Sequence, residues 1–201
     1  AVLEGVMELG ESWAVHMIGG DITSTPRDEV FALTMMGEST VNRVIRRRGA
    51  REGDVLVSTG TFGSSVETGH HLDFTPRVRE GQWLAARAGV HAMIDVSDGL
   101  LLDACRLCDA SALSLVLDTA AVPRRVGGCD TRKMLTDGED YELLAAVSPA
   151  CAAKIAGDWP FDAALTVVGS FGEGPARVTD TSGNELSDWA TMGFDHFQNG
   201  L

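Results

Sequence analysis

Lysine is almost missing from this chain. Of sixteen basic residues only Lys133 and Lys154 are lysines, against twenty-nine acidic residues, for a formal net charge of −13. So acidic a balance excludes nucleic acid and anionic lipid as the main partner, because both demand clustered positive charge. Neither lysine stands in a Gly-Lys-Ser/Thr setting, which excludes a Walker-type phosphate loop. Cysteine is scarce as well. Cys105, Cys108, Cys129 and Cys151 are too few to staple 201 residues, so the fold must rest on a hydrophobic core. Cys105 and Cys108 form a lone Cys-x-x-Cys inside an apolar helical pattern, with no second pair to complete a zinc site. They read as buried helix thiols in a reducing compartment, the cytoplasm. Long apolar runs are absent too: none approaches the roughly 18 residues of a membrane span, and no signal peptide opens the chain.

What is present is an ordinary apolar share, 44%, in 21.3 kDa, enough for one generous domain or two small ones. Val2, Val6, Leu9 and Trp13 mark an amphipathic helix over 2–15. Strands are predicted at 16–18, 30–37, 54–59, 92–95, 113–117, 141–147 and 165–169, and helices at 76–88, 99–112 and 149–156. Asp180 to Asn184 has the composition of a hairpin turn. Strands and helices alternate irregularly, which predicts α/β (α+β) architecture with mixed sheets. A turn cluster after Arg46-Arg47-Arg48 suggests a boundary, with residues 1–50 ending one domain and 51–201 forming the next.

Acidic residues gather at glycine-marked turns. Three clusters stand out: Gly19-Gly20-Asp21, Asp95-Val96-Ser97-Asp98-Gly99, and Asp137-Gly138-Glu139-Asp140. Carboxylates at the ends of apolar strands project from rigid backbone and suit a hard, oxygen-seeking cation such as Mg²⁺, and through it a phosphate substrate. Each cluster also has a plainer reading. Ser97 or Asp98 can cap the helix that follows, although Asp95 is too early to do so. Gly19-Gly20-Asp21 can be an ordinary turn, Gly138-Glu139-Asp140 a loop entry, and Asp137 a solvated carboxylate. The amides of Gly60-Thr61-Phe62-Gly63-Ser64-Ser65 can hold a phosphate, or the stretch can be a common Gly-rich loop. One of Arg46, Arg47 and Arg48 can bind phosphate while the others stay solvated. His70-His71 reads as a surface loop, and His196 is isolated.

Taken in order, these stretches resemble thiamine-monophosphate kinase, within the aminoimidazole-ribonucleotide synthetase-like superfamily. The resemblance is carried by Gly19-Gly20-Asp21-Ile22-Thr23-Ser24, the run Arg48 to Asp54, Gly60-Thr61-Phe62-Gly63 and Thr75-Pro76-Arg77-Val78. It continues through Ile94-Asp95-Val96-Ser97-Asp98-Gly99-Leu100, Gly138-Glu139-Asp140-Tyr141-Glu142-Leu143 and the closing Gly193-Phe194-Asp195-His196-Phe197. The resemblance implies an amino-terminal ATP-binding domain and a carboxy-terminal domain of the synthetase type. It implies transfer of the ATP γ-phosphoryl group to thiamine monophosphate, with Mg²⁺, in a homodimer. Asp21, Asp95 and Asp98 would hold Mg²⁺. Gly20, Asp21, Ser97 and Arg47, or a neighbouring arginine, would lie against ATP, and Glu139 and Phe194 would touch the thiamine substrate.

The family's earlier motifs, which carry further magnesium carboxylates, do not occur in these 201 residues. Residues 1–50 would then be a remnant with exposed strand edges such as 30–36. A second expectation is therefore a non-catalytic or incomplete module that binds nucleotide or metal, or serves dimerisation. A third keeps the superfamily but changes the acceptor, as in selenophosphate synthetase; the Gly-Glu-Asp-Tyr-Glu-Leu stretch and the lack of a selenium-handling residue argue against it.

Overall fold

The computed structural model describes residues 2–39, 43–127 and 129–190. The chain divides into two compact units, residues 1–38 and 39–201. In the first, helix α1 (Val2–Ser12) forms as the apolar spacing requires, but it buries no residue. The predicted strands at 16–18 and 30–37 are not strands. Both stretches lie in irregular backbone with Ile18, Val30, Phe31, Leu33, Met35 and Met36 exposed. Their β propensity has no neighbouring strand to satisfy it, and a strand without a ladder leaves its amides and carbonyls unpaired.

The second unit is built on one six-stranded mixed sheet. Its strands are β1 (Val55–Thr59), β2 (Val90–Val96), β3 (Ser114–Leu117), β4 (Glu142–Val147), β5 (Leu165–Gly172) and β6 (Arg177–Asp180), in the order β2-β4-β1-β5-β3-β6. Neighbours run antiparallel except β3 and β6, which are parallel. Helices cover both faces, so central β4 is apolar on both sides and buried almost throughout. On one face, α4 (Leu100–Ser111), α5 (Thr131–Thr136) and α7 (Ser187–Ala190) accompany a core that includes Leu56, Ile94, Val96, Leu107, Leu144 and Phe171. On the other, α3 (Val78–Ala85) and α6 (Pro149–Asp158) enclose Val57, Leu84, Ala145, Val147 and Ile155. Short α2 (Ser65–Thr68) and a 3₁₀ turn (His70–Leu72) complete the unit.

Local sequence explains most of these elements. Leu100, Leu101, Ala104, Leu107 and Cys108 give α4 a helical stripe that is wholly buried. Pro149 opens α6 behind Ser148, whose hydroxyl caps Cys151 N, and Asp130 caps α5 through Lys133 N. In β2 a bulge between Val90 and Ala92 reverses the alternation, sending Val90 to one core and Ala92, Ile94 and Val96 to the other. The β2 border is covered, since Arg46 O accepts from Met93 N. At the far border, Asp180 accepts from Ser182 N and Asn184 N, making the predicted turn, and a bridge from Thr179 to Glu185 folds the chain back over β6. The helix predicted over 76–88 is shorter, because Arg43 donates to the carbonyls of Ala85, Arg87 and Val90 and closes the end of α3. Among the described residues no helix is long and apolar enough to cross a membrane.

Cys105 and Cys108 lie on α4 against the core, and burial above all pushes their thiols up to about 11 and about 12. Both are inert thiols. Leu107→Ala, which empties a fully buried site in the same helix, should cost about 2–5 kcal/mol in urea unfolding.

Candidate active site

Two loops meet at one end of the sheet. The first, 97–99, joins β2 to α4. The second, 137–141, joins α5 to β4. Glu139 N donates to Ser97 O at 2.7 Å and Tyr141 N to Val96 O at 2.8 Å, so the loops are fastened backbone to backbone. The approach is close enough that a Cβ on Gly138 would lie 2.9 Å from Ser97 O and 3.1 Å from Asp98 C, at a φ of +73. Glycine is therefore required there. Glu139 and Tyr141 also adopt left-handed backbone, with φ of 53 and 52, a strained conformation for residues carrying a Cβ.

Asp103 holds the first loop from below. It is fully buried in the first turn of α4, and its Oδ2 accepts from Ser97 N at 3.1 Å and Asp98 N at 3.2 Å. Burial pushes its carboxyl up, and Arg106 opposes that shift. Arg106 pairs with Asp103 Oδ1 and with Asp98 Oδ2, each at 2.6 Å. Capping of α4 by Ser97 or Asp98 does not occur. Gly99 stands at the cap, and Asp103 reaches back to cap the loop instead. Its place five residues after Asp98 was the only signal of this.

Asp95 ends β2 with its side chain exposed on the α3/α6 side of the sheet. With Ile45, Arg46, Arg47, Met93, Ile94 and Leu143 it lines an open depression of about 400 Å³. Tyr141 stacks on Phe74, ring centroids 4.2 Å apart, and His70 lies tilted against Phe74 at 6.4 Å. Burial first, then the charges of Glu139, Asp95 and Asp98, push the Tyr141 phenol up, so the aromatic group and the carboxylates share one neighbourhood.

The Gly60–Ser65 loop is not a phosphate cradle. Gly60 N donates to Ala164 O, Phe62 N to Pro123 O, Gly63 N to Asp140 Oδ1 and Ser64 N to Asp137 Oδ2. The protein's own carboxylates occupy the amides that a phosphate would need, so Asp137 is not simply solvated. The two histidines are not loose surface groups either. His70 Nε2 meets Asp140 O at 3.1 Å, and His71 Nδ1 meets Ser65 O at 3.3 Å. Arg77 clamps Glu142 through both carboxylate oxygens, at 2.7 and 2.8 Å, and Thr59 adds a third bond at 2.7 Å.

Of the residues expected to act, Asp95 lies on β2, Ser97 and Asp98 on the first of the two fastened loops and Glu139 on the second, and Arg47 borders the same depression as Asp95. Gly20 and Asp21 belong to the unit 1–38, where both are exposed and Asp21 Oδ1 accepts from Ile22 N. Phe194 lies outside the described residues, as does His196. Asp103, Arg106 and Arg125 were not foreseen. Among the described residues no group of three or more His, Cys, Asp or Glu side chains could hold a metal ion. Mg²⁺ can be held by one or two carboxylates together with substrate phosphates and water; of the two expected ligands Asp95 is exposed, whereas Asp98 is paired with Arg106.

A three-layer unit with acidic loops at one end of its sheet defines a class of proteins. A model of the family described as AIR synthase related protein, C-terminal domain, matches residues 47–179, and the chain belongs to this family. Among curated proteins it is similar to the thiamine-monophosphate kinase of Rhodopirellula baltica, with 34% identity over 79% of this chain and 52% of that protein. Its fold is similar to the crystal structure of thiamine-monophosphate kinase from Stenotrophomonas maltophilia K279a, at TM-score 0.57 and 26% identity over 71% of this chain and 54% of that one. It is also similar to AaThiL complexed with AMPPCP and TMP, at TM-score 0.57 over 76% of this chain and 54% of that one; at 23% identity that likeness shows the fold alone. The chain spans about half the length of the curated relatives it matches.

Two outcomes follow from the geometry. Arg77→Ala strands a buried carboxylate and should cost about 3–5 kcal/mol in urea unfolding. Glu139→Gly relieves left-handed strain and should leave stability unchanged or raise it by up to about 1 kcal/mol, measured the same way.

Proposed function

We propose that this chain serves the transfer of the ATP γ-phosphoryl group to thiamine monophosphate, giving thiamine diphosphate. The observation that carries the reading is the fastening of the Asp95–Asp98 segment to the Glu139 turn through the Ser97 and Val96 carbonyls. Residues expected at the nucleotide and residues expected at the acceptor are thereby held in one piece of backbone. The names of the curated relatives support the same substrates.

In this reading an acceptor phosphate oxygen attacks the γ-phosphorus, the bond to the β–γ bridging oxygen breaks, and ADP departs. The acceptor is itself the nucleophile, so the protein's work is positioning and charge balance. Asp95 and Asp98 would hold Mg²⁺, which would neutralise the converging phosphates; the same role expected of Asp21, in the first unit, rests on the family resemblance alone. Arg47 faces the nucleotide from across the depression, with Arg46 beside it. Ser97 would contact ATP and Glu139 the thiamine substrate; the roles expected of Gly20, Asp21 and Phe194 rest on the family resemblance alone. Asp103 and Arg106 fix the loop, and Asp98 would exchange its Arg106 partner for the metal. The site belongs to a cytoplasmic homodimer, with the four cysteines as free thiols.

A second reading is favoured by the metal ligands. Asp98 is shared with Arg106, and the described residues include no group of three ligands. On that reading the 201 residues bind nucleotide or metal, or mediate association, without turnover of their own.

Purified chain incubated with Mg-ATP and thiamine monophosphate should form thiamine diphosphate slowly, as followed by chromatography. Asp95→Asn should lower that rate by about 100-fold or more. Nucleotide binding without product would favour the second reading.

A further inference from the structure

Asp140 lies between the Glu139 turn and the Gly60–Ser64 loop, and it has no exposed side-chain surface, at 0%. Its Oδ1 accepts from Arg125 Nη1 at 2.6 Å and from Gly63 N at 3.0 Å. Its Oδ2 is buried with no partner. The same guanidinium donates to Thr61 O at 2.7 Å and Gly63 O at 3.0 Å, so Arg125 grips the loop with both nitrogens and the turn with one. Ser65 Oγ adds a bond to Glu139 O at 2.6 Å.

The turn needs such a grip. A left-handed Glu139 and Tyr141 persist only where the surroundings over-determine them. The Ser97 and Val96 carbonyls hold the amides on either side of Asp140, and the Asp140 carboxylate supplies the side-chain anchor. The other charged groups nearby are Asp137 at the end of α5, His70 on the Asp140 carbonyl, and the Arg77–Glu142 pair beyond it.

We propose that Asp140 is a positioning residue operated by a proton: as a carboxylate it locks the Glu139–Tyr141 turn to the Gly60–Ser64 loop through Arg125, and as the neutral acid it releases the turn. Burial pushes this carboxyl up to about 6, with Arg125 and the Gly63 amide opposing and Asp137 assisting. The released form therefore becomes populated as pH falls through about 6. Global stability moves the other way. A carboxyl raised in the fold contributes stability that is complete below its unfolded value of 3.8 and is lost as pH rises through about 6. For this group alone, acid frees the turn without reducing the group's own contribution to stability. The consequence for substrate at Glu139 rests on the function proposed above, whereas the lock itself rests on geometry.

Tyr141 is the only tyrosine in the chain, so a ¹³C-tyrosine label reports on this turn alone. The tyrosine resonance of the intact chain should shift with an inflection near pH 6. The inflection should disappear in Asp140→Asn, rise in Arg125→Gln and survive in His70→Asn. A wild-type chain with no inflection between pH 5 and 7 overturns the proposal, even where Asp140→Asn fails to fold. An inflection kept in Asp140→Asn, or lost in His70→Asn, overturns it as well. In the same samples, thiamine monophosphate affinity should fall more steeply below pH 6 in the wild type than in Asp140→Asn, the ligand's own phosphate titrating alike in both. No thiamine monophosphate binding at any pH would sink the functional reading while the tyrosine titration still decides the lock.

Discussion

A carboxylate removed from water must meet a cation or amide hydrogens, and this constraint organises the second unit. Asp54, Asp103, Asp140 and Glu142 are all buried. Each has a basic partner: His91 for Asp54, Arg106 for Asp103, Arg125 for Asp140 and Arg77 for Glu142. Three of these pairs surround the two loops that meet at the end of the sheet. The near-absence of lysine acquires a physical meaning here. A planar guanidinium can grip a carboxylate and a neighbouring carbonyl at once, as Arg125 does, and a point-charged ammonium matches that geometry poorly. In a protein of net charge −13, three arginines, Arg77, Arg106 and Arg125, are committed to its own buried acids.

The parts of the fold legible from sequence were those that local pattern decides. The apolar stripe of α4, helix α6 and strands β1 to β5 follow from spacing and composition, whereas α5 and β6 were not foreseen. Strand order did not follow, because antiparallel pairing joins residues as distant as Val55 and Val147 on terms no local window contains. Residues 30–37 show the converse, since high β propensity produces no strand without a neighbour. The β2 bulge was equally hidden; an extra residue at Val90-His91-Ala92 leaves no mark in composition.

The candidate site divides along the same line. Asp95, Ser97, Asp98 and Glu139 announced themselves as acids beside glycines at strand ends, and they do lie on the end of β2 and the two adjoining loops. The Gly60–Ser64 loop misled because sequence displays donors without their acceptors, and Asp137 and Asp140, more than seventy residues away, already hold its amides. Asp103 and Arg125 were invisible for a related reason. An acid in a helix and an arginine beside a proline are unremarkable until the fold turns them toward a backbone that needs them.

The borders of the six-stranded sheet carry a consequence for crowded solution. On one side the backbone at Arg46 is bonded to β2, and on the other the turn after β6 doubles back as far as Glu185. A foreign strand would find part of each border already bonded, which disfavours growth of this unit by sheet extension.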